Sequence, residues 1–298
     1  MPTSSAHGSA EGRALPALPA LSSCPQEQRA AVTRLFFDVD DTLTWQGRLP
    51  EEAMRALYRA KAAGLTLCAV TGRSFAWGEM LVRLFPLDAV VAETGASALY
   101  FDKAGRLQTL HHEEASERRR LRTHREGVAD EVLSLIAGSR LAEDNVGRIA
   151  DSAFDLVESG DPLPEVDIER LIELLHERGL STARSSVHVN AFVYGKAGAF
   201  NKASMVDRLL QTMSNTTLTA ASSTLCYVGD SVNDGPLWAR AGISVGVANV
   251  VPLLPTLRER GQAPHFMVDG QGGYGFVQVV NDLLEARDLV EVFKDGAV

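Results

Sequence analysis

The sequence has few of the features that define membrane, disulfide-rich or nucleic-acid-coating proteins. It contains three cysteines, Cys24, Cys68 and Cys226, and none belongs to a CxxC pair, so we expect neither a disulfide scaffold nor a cysteine-bound zinc ion. No apolar run approaches the length of a helix that spans a bilayer. Basic residues number 29 against 38 acidic ones, for a net charge of −9. This acidic balance argues against nucleic-acid or membrane partners.

The N-terminal residues 1–30 lack the pattern of a secretory signal. The first basic residue is Arg13, and Pro16 and Pro19 interrupt the short apolar stretch. A signal peptide needs a basic start and an uninterrupted apolar segment. We therefore predict a disordered tail over residues 1–30, with Cys24 as a free thiol within it, and a cytoplasmic protein.

The remaining chain alternates short apolar strands with amphipathic helices. Apolar runs at 34–39, 65–70 and 89–92 are separated by helical patterns over 51–63 and 75–84. The same alternation resumes at residue 202 and ends in a helix over 275–289. This order is typical of an α/β fold with a doubly wound, mostly parallel, Rossmann-like sheet.

Between these two parts the pattern changes to α+β. The sequence predicts a hairpin over 98–110, a long charged helix over 113–137, a strand over 148–158, a helix over 166–178 and a strand over 185–193. This interval is far longer than the roughly 30 residues of one βαβ unit. We therefore predict a core domain of residues 31–97 and 191–298 that is interrupted by an inserted α+β cap domain of residues 98–190.

Two acidic motifs follow predicted strands of the core. Asp38 and Asp40 are two residues apart, so their carboxylates leave the same face of an extended chain. Asp230, Asn233 and Asp234 follow the strand at 224–228 and offer the hard oxygen ligands that suit Mg²⁺. Taken singly, the first motif is an ordinary acidic loop end and the second an Asx-rich turn.

Two further motifs offer groups that suit a phosphate. Thr71 and Gly72 supply a hydroxyl and a backbone amide at a helix entry, and Lys202 opens a later helix. Singly, the first could be a helix cap and the second a solvated lysine. Because a doubly wound sheet gathers all four motifs along one edge, we favour the joint interpretation, a site for phosphate and Mg²⁺.

The order of these motifs resembles that of the haloacid dehalogenase superfamily of phosphohydrolases. The predicted insert is similar to the type IIB cap of the Cof-type and sugar-phosphate phosphatases. Residues 93–96 read Glu-Thr-Gly-Ala, where that branch usually has Asn-Gly-Ala. Thr94 is therefore a departure, and it puts in doubt a substrate contact that the asparagine would make.

The resemblance implies roles for the residues of the motifs. Asp38 would be the nucleophile and form an aspartyl-phosphate, and Asp40 would be the general acid and base. Thr71, Gly72 and Lys202 would bind the phosphoryl oxygens.

The resemblance also implies Mg²⁺ as the cofactor. Asp38, the backbone carbonyl of Asp40 and Asp230 would hold the ion, and Asn233 and Asp234 would orient its ligands. The electrostatics agree, because several carboxylates that converge with a phosphate dianion need cations between them.

Three further residues are candidates for substrate contacts. Arg73 follows the Thr71 motif, and the alternation at 185–190 places His188 and Asn190 on one strand face near the junction of the two domains; a structural role there is an equal alternative. We expect a phosphatase acting on a small phosphorylated metabolite, with a sugar phosphate as the anticipated substrate. The alternatives are a phosphomutase and, from another class, a non-catalytic regulatory protein on the same fold.

Overall fold

The computed structural model describes residues 17–295, with side chains as far as residue 288. Residues 1–16 of the predicted tail lie outside the described part. The helices are α1 (Gln26–Ala30), α2 (Glu51–Ala62), α3 (Phe75–Leu84), α4 (Ala115–Leu135), α5 (Glu165–Glu177), α6 (Lys202–Ser214), α7 (Leu218–Ala221), α8 (Gly235–Trp238), α9 (Leu254–Glu259) and α10 (Gly272–Asp295).

Eight strands form the main sheet, and three form a smaller one. The strands are β1 (Arg34–Phe37), β2 (Thr66–Val70), β3 (Ala89–Ala92), β4 (Ser97–Phe101), β5 (Leu107–His111), β6 (Asp151–Asp155), β7 (Ser181–Arg184), β8 (His188–Phe192), β9 (Leu225–Gly229), β10 (Ile243–Gly246) and β11 (Phe266–Met267). The main sheet has the order β11-β10-β9-β1-β2-β3-β4-β5. Strands β11 to β3 in that order are parallel, and β4 and β5 are antiparallel. The predicted α/β fold with a mostly parallel sheet is confirmed.

The central strands of the main sheet are buried on both faces, which explains why they are continuous apolar runs. Successive side chains of β1 alternate between the two hydrophobic clusters: Leu35 and Phe37 pack towards α2 and α10, and Phe36 packs towards α6 and α8. The same alternation in β2 separates Leu67 from Cys68. The side chains of these central strands are thus used for packing, and the groups that can contact a ligand lie at the strand ends.

The inserted segment forms an antiparallel sheet of order β6-β8-β7. Helices α4 and α5 cover it with a separate hydrophobic cluster that includes Val132, Leu171 and Val189. This segment is the α+β unit that the change of pattern predicted, although β7 was not recognised as a strand. We call residues 112–193 the cap.

The predicted start of the cap at residue 98 is wrong. The hairpin β4–β5 continues the main sheet, because β4 pairs with β3 from Ala89–Tyr100 to Ala92–Ser97. Alternation predicts a hairpin, but it carries no information on which open sheet edge the hairpin joins.

The prediction of a disordered tail also fails for the described residues 17–30. Leu21 and Cys24 are buried in the main core, and α1 packs on α10. Cys24 is therefore a core thiol. Cys68 and Cys226 lie in β2 and β9, with β1 between them, and all three cysteines are free. No helix within 17–295 is both long enough and apolar enough to cross a membrane.

Candidate active site

The predicted motifs meet where adjacent parallel strands end. Asp38 follows β1, Thr71 follows β2 and Asp230 follows β9, and β1 lies between the other two strands. Parallel neighbours end at the same edge of a sheet, which is where α/β sheets bind ligands.

Asp38 is buried, with 4% of its surface exposed. Its Oδ1 accepts a hydrogen bond of 2.8 Å from the amide of Val39, and its Oδ2 lies 3.1 Å from Lys202 Nζ. Burial raises the pKa of the Asp38 carboxyl to about 7; the Lys202 ammonium opposes the rise, and the carboxylates of Asp234 and Asp40 add to it.

Asp230 is also buried and is held by two donors. Its Oδ1 accepts from Thr42 Oγ1 at 2.9 Å, and its Oδ2 accepts from Asn249 Nδ2 at 3.1 Å. Burial and the carboxylates of Asp38 and Asp234 raise the pKa of Asp230 well above its usual range. Sequence reasoning missed Asn249, since no motif surrounds it.

Asp234 has a different environment, because its oxygens accept from a buried ammonium, a phenol and two backbone amides. Oδ1 accepts from Lys202 Nζ at 2.7 Å and from Tyr227 Oη at 2.5 Å, and Oδ2 accepts from the amides of Asp230 and Ser231. Burial and the Asp234 charge keep the pKa of Tyr227 well above its usual range, so its hydroxyl stays a donor. Asp234 thus positions Lys202 and the Asp230 loop.

The donor set fits a hard divalent cation. Ligand oxygens of Asp38, Asp230 and Asp234 lie within 4.8 Å of one another. Lys202, itself fully buried, is the cation paired with Asp38 and Asp234 among the described residues. Buried carboxylates at this density repel one another unless a cation lies between them. The Asn233 side chain accepts a hydrogen bond from Ser231 Oγ at 3.0 Å, so it takes part in the hydrogen bonds within the loop.

The loop after β2 presents groups for an anion. The Thr71 Oγ1 accepts from the Arg73 amide at 3.0 Å, and the side chain that caps α3 is Ser74. Within the described residues, neither the Thr71 hydroxyl proton nor the Gly72 amide has a hydrogen-bond acceptor. The plain helix-cap explanation of Thr71 is therefore wrong.

Arg73 joins the core to the cap. Its guanidinium binds both carboxylate oxygens of Asp40, at 2.6 to 3.0 Å, and both oxygens of Glu158 on the cap. The guanidinium also lies 4.8 Å from the centre of the Trp77 ring. Sequence reasoning did not find Glu158, which lies in an irregular loop.

His188 and Asn190 face protein groups at the junction. His188 Nε2 is 2.7 Å from Glu158 Oε2, and Asn190 Nδ2 donates to the Gly72 carbonyl at 3.0 Å and to Asp151 at 2.8 Å. Both side chains are buried. Their position at the junction of the two domains agrees with the prediction, whereas their contact with a substrate stays a prediction.

The segment that contains Thr94 is bent sharply. Glu93, Thr94 and Gly95 have φ angles of +49°, +54° and +107°, a conformation that a β-branched residue rarely adopts. The buried Thr94 Oγ1 has no hydrogen-bond partner among the described residues. The Glu93 carboxylate accepts from the amides of Phe75 and of cap residues 149–151.

Comparisons with known proteins agree with the resemblance that the sequence motifs indicate. Residues 35–120 match the haloacid dehalogenase-like hydrolase family, and no curated protein matches the sequence. The sucrose-phosphatase of Synechocystis is 17% identical with a TM-score of 0.55, over 84% of this chain and 97% of that one.

Two other solved structures are also similar. The C-terminal domain of C. albicans trehalose-6-phosphate phosphatase is 13% identical with a TM-score of 0.64, over 91% of this chain and 98% of that one. The subclass IIB sugar phosphatase BT4131 is 14% identical with a TM-score of 0.55, over 84% and 98%. Likeness at such identities establishes the fold. Residues 35–120 are thus similar to the haloacid dehalogenase-like hydrolases, and the fold of the chain, a mostly parallel core sheet with an inserted antiparallel unit, is shared with these phosphatase structures.

Proposed function

We propose that the protein is a Mg²⁺-dependent phosphomonoester hydrolase that forms an aspartyl-phosphate on Asp38. The observation that carries the proposal is the contact of Asp38 with the buried Lys202, 3.1 Å from Oδ2 to Nζ, beside a second buried carboxylate, Asp230. This arrangement places the Asp38 carboxyl beside the Lys202 ammonium, a positive charge that attracts a phosphate.

Asp38 would attack the phosphorus atom in line with the departing oxygen. The bond from Asp38 to phosphorus forms as the ester bond breaks, and Asp40 gives its proton to the leaving oxygen. Asp40 then takes a proton from the water that hydrolyses the aspartyl-phosphate. The bidentate contact with Arg73 fixes the direction of the Asp40 carboxylate.

The phosphoryl oxygens would be bound by three groups, two in the loop after β2 and one at the start of α6. The Thr71 hydroxyl and the Gly72 amide have no competing acceptor within the described residues. Lys202 is held in place by Asp234, at 2.7 Å. Donors placed in advance stabilise developing charge without reorganising at the moment of reaction.

Asp38, the backbone carbonyl of Asp40 and Asp230 would hold Mg²⁺. The ion would neutralise charge on the phosphoryl group and on the converging carboxylates. Thr42 and Asn249 keep the Asp230 oxygens in position, and Asp234 supports the loop through the amides of Asp230 and Ser231.

We further propose a small sugar phosphate as the substrate. The support comes from the cap, which is like that of subclass IIB, and from the names of similar structures, a sucrose-phosphatase and a trehalose-6-phosphate phosphatase. The cap contacts the site through Glu158 and Asn190, so closing it would exclude bulk water.

A panel of phosphorylated metabolites, assayed for free phosphate with Mg²⁺, tests this function. We expect release of phosphate from at least one sugar phosphate by the wild-type protein and none by Asp38→Asn. Inactivity of the wild type against the whole panel would contradict the proposal and favour a non-catalytic protein. Transfer of phosphate to a second sugar hydroxyl without release would indicate a mutase.

A further inference from the structure

We infer that the cap positions the phosphate-binding loop of the core as well as covering the site, through a clamp on the Gly72 carbonyl. The clamp consists of Arg148, Asp151 and Asn190, all of them on the cap. This inference rests on the proposed function, because Gly72 belongs to the loop that would bind the phosphoryl group.

The Gly72 carbonyl receives two cap donors at once. Arg148 Nη1 donates to it at 2.9 Å, and Asn190 Nδ2 donates to it at 3.0 Å. Both donors are buried, with 2% and 1% of their surfaces exposed. A backbone carbonyl held by two buried donors has little freedom to rotate, so the peptide planes on either side of Gly72 are fixed.

One carboxylate aligns both donors. Asp151 Oδ1 accepts from Arg148 Nη1 at 2.8 Å, and Asp151 Oδ2 accepts from Asn190 Nδ2 at 2.8 Å. Asp144 binds the other side of the Arg148 guanidinium at 3.0 Å. The guanidinium is thus charge-compensated where it is buried, which keeps it in a single orientation.

The cap approaches the loop closely at position 72, so a side chain there would be tightly packed. A Cβ built on Gly72 would lie 3.2 Å from Asn190 Oδ1 and 3.5 Å from Thr94 Oγ1. The cap also reaches the next turn of the loop, because Asp144 accepts from the Ser74 amide at 3.1 Å. Residues 72–74 are therefore held by the cap on two sides.

The clamp has a direct consequence for the chemistry. The loop presents the Thr71 hydroxyl and the Gly72 amide on one side, and it leads into Arg73, which binds Asp40. An open cap would remove both donors from the Gly72 carbonyl. The loop would then reach its binding geometry only when the cap closes, which couples closure to phosphate binding.

Two variants test the clamp. Asn190→Ala removes one donor, and Arg148→Lys removes the fork but keeps the charge opposite Asp144 and Asp151. We expect each to weaken inhibition by inorganic phosphate by about tenfold or more, since a buried carbonyl loses a partner. Arg178→Gln, in a solvent-exposed ion pair within the cap, is the matched control and should leave the inhibition unchanged.

Two esters with different leaving groups, p-nitrophenyl phosphate and glucose 6-phosphate, separate positioning from substrate contact. A clamp on the loop predicts an equal loss of kcat/KM for both. A loss confined to glucose 6-phosphate would overturn the inference, because Asn190 would then contact the leaving group. Unchanged kinetics in a folded variant would also overturn it.

Amide hydrogen exchange gives a readout that does not depend on turnover. We expect residues 71–76 to exchange about tenfold faster in either variant, while β1 and β9 keep wild-type protection. If a thermal melt shows that Asn190→Ala does not fold, the result for Arg148→Lys confirms or overturns the clamp. Wild-type protein that hydrolyses no ester would refute the proposed function, and the exchange rates would still confirm or overturn the clamp.

Discussion

Arg73 on the core and Glu158 on the cap form an ion pair in which Nη2 and Oε1 are 2.6 Å apart. The same guanidinium holds the Asp40 carboxylate, with Nη2 at 2.6 Å from Oδ1. One arginine therefore connects the proposed general acid to the cap. The connection is asymmetric, since the Asp40 side chain is 13% exposed and the Glu158 side chain is 31% exposed.

This asymmetry predicts unequal effects of two substitutions. Arg73→Lys loses the planar fork on Asp40, so we expect kcat to fall by about tenfold to a hundredfold. Glu158→Gln keeps a hydrogen-bond acceptor, so kcat should fall by less than about tenfold. It removes the charge that faces the buried Arg73 and His188, so the free energy of unfolding should fall by about 1–3 kcal/mol. Steady-state kinetics and a urea titration measure both.

The matched control for Glu158 is Glu165→Gln, which breaks an exposed pair with Arg184 inside the cap. We expect wild-type kinetics for it. If Glu158→Gln proved as damaging as Arg73→Lys, the cap contact and not the orientation of Asp40 would be the function of Arg73.

Replacing Asp38 by asparagine should abolish turnover without unfolding the protein. The amide is isosteric but a very poor nucleophile, so we expect kcat to fall by at least about a thousandfold, or about 4 kcal/mol of barrier. Single-turnover assays and circular dichroism provide the measurement. Near-normal turnover would exclude Asp38 as the nucleophile.

Lys202 should matter to both stability and catalysis. Its buried ammonium contacts Asp38 and Asp234, so Lys202→Met leaves two buried carboxylates without their partner. We expect a loss of about 3 kcal/mol or more in unfolding free energy and loss of phosphatase activity. Lys196→Ala, at an exposed lysine nearby in sequence, is the control and should resemble the wild type in a denaturant titration and in the assay.

Mg²⁺ should stabilise the protein more strongly as the pH rises. The folded-state pKa of Asp38, raised to about 7 by burial, lies above its unfolded value. Between these two values the folded state therefore holds a proton that the unfolded state has lost, and metal-free stability falls as the pH rises. Mg²⁺ competes with that proton.

We accordingly expect the increase in Tm caused by Mg²⁺ to be larger at about pH 8 than at about pH 6. Differential scanning fluorimetry with and without Mg²⁺ measures it, and EDTA should abolish turnover until Mg²⁺ is restored. The same increase with Ca²⁺ or with Asp230→Asn would contradict the assignment of the site. EDTA-resistant turnover would exclude the metal.

The positions of Asp38, Thr71 and Asp230 could be predicted because they depend on local signals. Each follows an apolar run, and an apolar run between helices is a buried parallel strand whose end faces the ligand-binding edge. The Thr71 position is confirmed at the end of β2, and α3 has the predicted bounds Phe75–Leu84. Chemical roles at these positions remain predictions.

The pairing of the hairpin β4–β5 and the burial of the tail residues could not be predicted from local sequence signals. A hairpin pairs with any open strand edge of matching register, and β3 happened to offer one. The burial of Leu21 and Cys24 could not be predicted from the residues around them. Their packing partners come from α10 and β11, which lie nearly the whole chain away.

The amino-acid order alone determined the alternation of strands and helices, the inserted cap and the acidic, hydroxyl and amine groups at the strand ends, since hydrophobic periodicity and short motifs act over neighbouring residues. Only the tertiary structure decided that Arg148 and Asn190 would hold Gly72, that Arg73 would bridge Asp40 and Glu158, and that Asp234 would support Lys202. These contacts join residues as many as 118 positions apart. They depend on how the cap packs against the core, which no local pattern encodes.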